Sequence, residues 1–333
     1  MKIMVFEVEP WEYPTFEDLR GEHEVVFEER PLRAEVAERH ADADIVSAFI
    51  YSRMDRSVLE KFEHLKLIAT RSTGFDHIDL DLCREQGIKV ANVPTYGDNT
   101  VAEHVFALLL ALSHKMVDAV DRTRRGDFSM KGLEGFDLEG RTMGIIGTGN
   151  IGRHVARIAR GFGMEVLAYD IAPDHDAADS IGFAYVDLPE LLRRSDVVSL
   201  HVPGNERTRH LLSTDAFNQM KHGAVLINTA RGPVVDIRAL LRALADGRLA
   251  AAGLDVLPEE PAIREEAELL RQFFEKEHDL DALLADHVLL RMRNVIITPH
   301  SAFYTREAVQ RILDTTRANI AAFIAGEPQN LVS

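Results

Sequence analysis

The chain has 333 residues, 46% of them hydrophobic and 28% charged, with a formal net charge of −16. That length exceeds what one small core needs and calls for two domains, and the composition excludes a disordered polymer. The acidity counts against nucleic acid or an anionic membrane as partner, while a local arginine can still receive an anionic substrate.

MKIMVFEVEPWE opens as a short strand interrupted by acids, not as a signal peptide. ADIVSAFI, LKLIATRS and IKVANVP follow as further apolar, β-rich runs separated by helical patterns. Cys83 is the only cysteine, so no intrachain disulfide or thiolate metal cluster is expected and a cytoplasmic setting is; no metal site is expected elsewhere either. A seam is expected after NVPTYGDN. There TVAEHVFALLLALSHKM starts a helix with Asn99 or Thr100 as cap and Glu103 in its first turn. Its apolar content is that of a helix covering a domain or subunit boundary, and VFALLLALS is too short to span a bilayer.

TMGIIGTG, EVLAYD, DVVSLHVP, AVLINTA, AAGLDVL and NVIITPH continue the alternation. Continuous apolar strands between amphipathic helices indicate parallel sheets covered on both faces, so the fold class is α/β, doubly wound. The stretch from Ala262 to Leu290, between the last two strands, carries periodic Leu and Phe and is expected to be helical and outside the core.

Gly147, Gly149 and Gly152 have the spacing G-x-G-x-x-G. Alone this is weak, but a strand runs in, a helix runs out, and a second strand ends at Asp170. Such glycines permit a tight turn, close approach of backbone to a pyrophosphate, and close helix–strand packing. Amides near Asn150 and Ile151 would bind the diphosphate. Asp170 can accept from ribose hydroxyls and repels a ribose phosphate, and Ile171, Ala172 and Pro173 add no cation. NAD is therefore expected over NADP.

Ligands of open α/β sheets sit beyond the strands' carboxyl ends. Arg231 follows AVLINTA; Asp255, Pro258, Glu259 and Glu260 follow AAGLDVL; His300 follows NVIITP. Singly, the arginine could be a surface ion-pair partner, the glutamate solvated and the histidine structural. Together they are expected to form a ketone-reduction site.

With VAEHVFALLLAL, GIIGTGNIG, SLHVPGNERTRHLLS, LINTARGPVVDIRALLRAL, GLDVLPEEP and NVIITPHSAFYT, the chain resembles the NAD-dependent D-2-hydroxyacid dehydrogenases along nearly its whole length. PHSAFYT, RSTGFDHIDL and the long insert are most like the D-lactate dehydrogenase branch, from which PEEP departs a little. The resemblance implies a Rossmann cofactor domain, 100–299, inserted into a flavodoxin-like substrate domain, 1–99 and 300–333. It implies a homodimer joined through the cofactor domains, and a small anionic 2-oxo or 2-hydroxy acid as substrate, with pyruvate and D-lactate first. Arg231, Glu260 and His300 match the family's catalytic arginine, glutamate and histidine, Glu260 being chosen over Glu259 by its distance from Asp255. Tyr51, Thr73, Gly74, Tyr96 and Phe303, with Arg231 and His300, match substrate-pocket positions. Val202, Pro203, Thr208, Thr229, Ala230, Arg231, Asp255 and His300 match cofactor contacts.

On this reading His300 protonates the carbonyl oxygen while hydride comes from NADH. Arg231 holds the carboxylate, and Glu260 hydrogen-bonds the imidazole, orienting it and favouring its charged form. His77, His104 and His201 are read as structural or exposed. Glyoxylate, hydroxypyruvate or a longer 2-oxo acid stays open as substrate, and a non-catalytic NAD-sensing corepressor stays open as a role.

Overall fold

Every β-rich apolar run named above becomes a strand of one of two all-parallel sheets, and from Lys2 to Leu254 a helical segment lies between successive strands. The computed structural model describes residues 1–258 and 287–332. The chain is α/β and divides into two units. One is Met1–Tyr96 with Thr305–Ser333, and the other is Gly97–Tyr304.

In the first unit the strands are β1 (Lys2–Phe6), β2 (Glu24–Glu28), β3 (Ile45–Ala48), β4 (Leu67–Thr70) and β5 (Lys89–Ala91), in the order β2-β1-β3-β4-β5. Alternation along each strand splits the apolar side chains between two cores. Ile3, Val5, Ile45, Leu67 and Ala69 meet Val309, Leu313 and Ile320 of the helix Arg306–Ile324. Met4, Phe6, Val46, Ala48, Ile68 and Val90 fill the other face. Such strands read as unbroken apolar runs because both faces are covered. The edge strand β2, EVVFE, lacks that signature and was not legible as a strand. The tail returns to this sheet: Leu331 bridges Ala91 antiparallel, Val332 N donates to Val90 O, and Asn92 N donates to Asn330 O.

The second unit contains β6 (Thr142–Ile146), β7 (Glu165–Tyr169), β8 (Ala184–Tyr185), β9 (Val197–Leu200), β10 (Ala224–Asn228), β11 (Leu249–Leu254) and β12 (Val295–Ile297). Their order is β12-β11-β10-β9-β6-β7-β8, so the winding reverses between β6 and β9. Ile146, Val198, Leu200, Leu226, Ala252 and Leu254 line one face, and Met143, Ile145, Val166, Val197, Val225 and Ile227 the other. The helix Asp98–Ser113 buries Val105, Phe106, Leu108, Leu109 and Leu112 against this second core. Its N-cap is Gly97, without a side-chain cap. This corrects the expected cap: Asn99 lies within the first turn, where its Nδ2 donates to Glu103. No single helix among the described residues is long and apolar enough to cross a membrane. Glu259, Glu260 and most of the insert expected to be helical lie outside the described residues.

Candidate active site

Strand register builds this site. Across the seven-stranded sheet Tyr169 pairs with Ile146, Ile146 with Leu200, Leu200 with Asn228, Asn228 with Leu254 and Leu254 with Ile297. One row therefore ends six strands together. The next residue on each is Asp170, Gly147, His201, Thr229, Asp255 and Thr298, and Arg231 and His300 follow shortly. Residues far apart in sequence reach one sheet edge because the strands stop in register.

At the winding reversal the turn after β6 meets the turn after β9. Gly147 has φ +97°, and a Cβ there would stand 2.4 Å from His201 O. A Cβ on Gly152 would stand 2.1 Å from Gly147 O. Both contacts are far inside van der Waals range, so only glycine fits. Around Gly149, by contrast, an added Cβ meets nothing within 4 Å. Gly149 caps the helix Asn150–Gly161 with no side chain on its first amides, and Gly149 and Asn150 are exposed. Uncapped amides at the positive end of a helix, with open space before them, fit a diphosphate.

Asp170 closes the turn. Its Oδ2 accepts from Thr148 N (2.6 Å) and Thr148 Oγ1 (3.0 Å), and its Oδ1 from Ala172 N (2.9 Å). Burial alone would raise its pKa, but the hydrogen bonds from Thr148, Ala172 and Ile171 outweigh burial and hold the carboxyl below the usual range. It stands as an anion, the state that repels a ribose phosphate. Thr229 Oγ1 is buried without a hydrogen-bond partner, an orphan suited to a ligand atom at this edge. Thr208 Oγ1 is engaged within its own turn, with Pro203 O at 2.6 Å and Asn205 N at 3.0 Å, and Val202 and Pro203 lead into that turn. His201 bonds Ser199 Oγ at 2.8 Å, and desolvation pushes its pKa down to about 3, so the ring is neutral.

Arg231 is half-buried in the turn after β10, and its Nη1 donates to Ala230 O at 2.8 Å. Asn228, fully buried, fixes this turn from inside: Oδ1 accepts from Ala230 N (3.0 Å) and Nδ2 donates to Arg231 O (3.1 Å). Asn228 escaped the sequence reading, although an asparagine bonding the amide two residues on is a recurrent turn former.

Asp255 is 1% exposed, and its carboxylate is committed to the chain after β12. Oδ1 accepts from Thr298 Oγ1 (2.5 Å) and Ser301 N (2.9 Å), Oδ2 from Ala302 N (3.0 Å), and Asp255 O from His300 N (3.0 Å). His104 Nε2 lies 3.0 Å from Thr298 Oγ1 and 3.6 Å from Asp255 Oδ1. These bonds grip the backbone on both sides of His300 and hold it at φ +52°, a left-handed conformation uncommon for residues other than glycine and one that Asn, Asp and His adopt more often than the rest. Phe303 and Tyr304 follow in edge-to-face contact, ring centroids 5.9 Å apart. The structure thus brings the glycine turn, Asp170, Arg231, Asp255 and His300 to one edge of one unit.

Tyr51, Thr73, Gly74 and Tyr96 belong to the other unit, on loops beyond β3, β4 and β5. Tyr51 is half-exposed and edge-to-face with Phe49. Thr73 Oγ1 donates to Val93 O (2.7 Å), Asn92 Nδ2 to Thr73 O (2.8 Å), Ser72 Oγ to Gly74 O (2.6 Å) and Arg311 Nε to Tyr96 O (2.6 Å). Polar side chains fix these loops too.

A phosphate cradle at a winding reversal, with a cationic fork and an imidazole beyond β10 and β12 at the same sheet edge, is the equipment of a dinucleotide-dependent oxidoreductase. Residues 106–302 match the family model for the NAD binding domain of D-isomer specific 2-hydroxyacid dehydrogenases. The chain is 39% identical over 309 residues to D-lactate dehydrogenase of Escherichia coli (strain K12), covering 90% of each. It is 37% identical over 308 residues to glyoxylate reductase of Korarchaeum cryptofilum, covering 91% of this chain and 86% of that one. The crystal structure of D-lactate dehydrogenase from Aquifex aeolicus complexed with NAD and lactic acid superposes with a TM-score of 0.86 at 37% identity, covering 98% of this chain and 96% of that one. The protein belongs to the D-isomer specific 2-hydroxyacid dehydrogenase family. It is an NAD-dependent oxidoreductase acting on the CH–OH group of D-2-hydroxy acids.

Proposed function

We propose that this enzyme reduces pyruvate to D-lactate. The observation that carries the reading is the placement of Arg231 after β10 and His300 after β12, on either side of β11, at the edge that carries the glycine turn. The similarity to D-lactate dehydrogenases over nearly the whole chain supports the substrate. Bound NADH supplies the hydride. Gly147, Gly149 and Gly152, with the amides of Asn150 and Ile151, hold the diphosphate, and Asp170 takes the ribose. Thr229, Val202, Pro203, Thr208 and Ala230 line the rest of the cofactor edge. Arg231 takes the substrate carboxylate in its two-pronged fork and polarises the ketone. The imidazole of His300 gives its proton to the carbonyl oxygen as that oxygen gains charge. Glu260 is assigned the carboxylate partner of that imidazole.

The first unit is assigned as the substrate domain, and Tyr51, Thr73, Gly74, Tyr96 and Phe303 are assigned as substrate contacts by their match to the family's pocket positions. A homodimer through the cofactor unit is proposed with it, and an exposed apolar surface on that unit supports it. The helix Met116–Arg124 buries none of its residues, and Met116, Val117, Val120, Phe128 and Met130 are exposed, the last two at 81% and 84%. A cytoplasmic location accords with the single buried cysteine.

Glyoxylate is the second reading, favoured by the similarity to the Korarchaeum reductase. The deciding experiment is steady-state kinetics with NADH across glyoxylate, pyruvate, hydroxypyruvate and phenylpyruvate, with chiral analysis of the product. D-lactate formed at the highest kcat/KM is expected. L-lactate, or a higher kcat/KM on another acid, overturns the assignment.

A further inference from the structure

The five-stranded sheet also reverses its winding, between β1 and β3, so the loops beyond these two strands part there as they do at the cofactor edge. Val5, Ser47 and Ala69 pair in one row, which puts Glu7, Phe49 and Arg71 together just past the strand ends. These are unusual residues for the place. Glu7 has φ +54°, and Arg71 is 3% exposed.

Arg71 fixes the backbone. Its Nη2 donates to Phe6 O at 2.7 Å and to Glu7 O, and its own amide donates to Ala48 O at 2.8 Å. Glu7 then turns its side chain across the reversal. Its Oε2 accepts from Phe49 N (2.6 Å) and Ser52 Oγ (2.9 Å), with a further bond from the backbone of Tyr51. Ser52 Oγ in turn accepts from Leu32 N at 2.8 Å. One carboxylate thus gathers the loop 49–52 at its beginning, middle and end. Burial pushes the Glu7 carboxyl above its usual range, against Arg71 and these bonds. Glu7 Oε1 and Arg71 Nη1 are buried without a hydrogen-bond partner. Burying polar atoms unpaired is costly, and such costs concentrate where a sequence maintains a function.

We propose that Glu7 is a positioning residue for substrate selection. Its carboxylate fixes the loop 49–52, hence the stance of the Tyr51 ring, and so sets the length of side chain accepted on the 2-oxo acid. The proposal rests on the reading above, that the first unit selects the substrate. Glu7 touches no reacting atom and acts through Tyr51.

The test uses the full-length enzyme. Glu7→Met keeps the bulk and removes the acceptor, Glu7→Gln restores an acceptor oxygen, and Ser52→Ala removes one leg of the clamp. Selectivity is the ratio of kcat/KM for 2-oxobutanoate, one methylene longer, to that for pyruvate. Glu7→Met should raise this ratio about tenfold, the scale on which a pocket discriminates a methylene. KM for NADH should stay unchanged, Glu7→Gln should restore the ratio, and Ser52→Ala should move it in the same direction by less. In a Tyr51→Ala background Glu7→Met should add no further shift, as a double-mutant cycle requires of residues that act through one another.

A uniform loss on every 2-oxo acid, or a shift that persists in full without the Tyr51 ring, overturns the proposal. If Glu7→Met does not fold, an unmoved ratio in folded Ser52→Ala overturns it equally. Failure of the underlying reading looks different: Tyr51→Ala by itself would then leave the ratio where it is.

Discussion

The two halves of the candidate active-site edge reach uncommon backbone conformations by opposite means. At the turn after β6, Gly147 takes φ +97° because it has no side chain, and Gly152 admits the turn because a Cβ would strike Gly147 O. At the turn after β12, His300 takes φ +52° with its side chain intact, because Asp255 accepts hydrogen bonds from both flanks and from His300 N itself. One turn is permitted and the other is enforced. A permitted turn can be emptied toward a ligand that only backbone must touch. An enforced turn can present a reactive side chain, at the expense of a buried carboxylate.

The two halves should therefore fail differently. The largest effect is expected from Arg231→Ala, which strips the charge partner from the reaction half. Losing a paired charge contact costs about 2–5 kcal/mol, so kcat/KM should fall roughly thirty- to several-thousand-fold on every 2-oxo acid. NADH affinity, measured by fluorescence titration, should fall much less than kcat/KM, and a parallel loss would merge the two halves into one.

Asp255→Asn comes next. The amide keeps one acceptor oxygen and loses the other, leaving a buried donor unpaired at about 1–3 kcal/mol. We expect kcat/KM on pyruvate to fall about ten- to hundredfold, with a lowered Tm and nearly intact NADH binding. If NADH affinity drops as steeply as turnover, Asp255 is a cofactor contact first and a brace second.

Gly149→Ala probes the permitted half. The new methyl meets no protein atom within 4 Å and φ is −63°, so Tm should hold. The dissociation constant for NADH should rise about tenfold, ~1.4 kcal/mol. Unchanged affinity would place the diphosphate elsewhere.

The smallest change is expected from Asp170→Asn, which should narrow the NADH-over-NADPH preference a few-fold, about 1 kcal/mol or less, in paired kcat/KM measurements. Its pH signature has a definite sign. A carboxyl held below its usual range adds stability above the ordinary carboxylate pKa and loses it as pH falls through the folded value. Urea midpoints of the parent and Asp170→Asn should converge as the solution is acidified, and a constant gap would count against the hydrogen bonds from Thr148 and Ala172.

The same contrast explains what the sequence discloses. The glycine turn is legible because its physics lies in the residues that form it, and the central strands are legible because two covered faces demand unbroken apolar runs. Arg231 and His300 could be nominated because each follows such a run. What braces them is not legible. Asp255 and Thr298 lie 43 positions apart, and His104 joins them from a helix 194 positions before Thr298. Nothing local marks His104 as other than an ordinary histidine, or Glu7 as other than one acid among several. Only the register of the sheets brings these partners together. The short edge strands β2 and β8 escaped for a simpler reason, being too exposed or too brief to carry the apolar signature.

The tail that returns to β5 has a practical consequence for anyone handling the enzyme. β5 is the outer strand of its sheet, and Leu331 and Val332 pair with its free margin. An uncovered strand margin is a template for another chain. Asn330 also holds Asn319, Asn319 holds Asn92, and Asn92 holds Thr73, so the tail is tied by hydrogen bonds to the loop assigned to the substrate. Deletion of residues 330–332 should raise the tendency to aggregate and weaken substrate binding together.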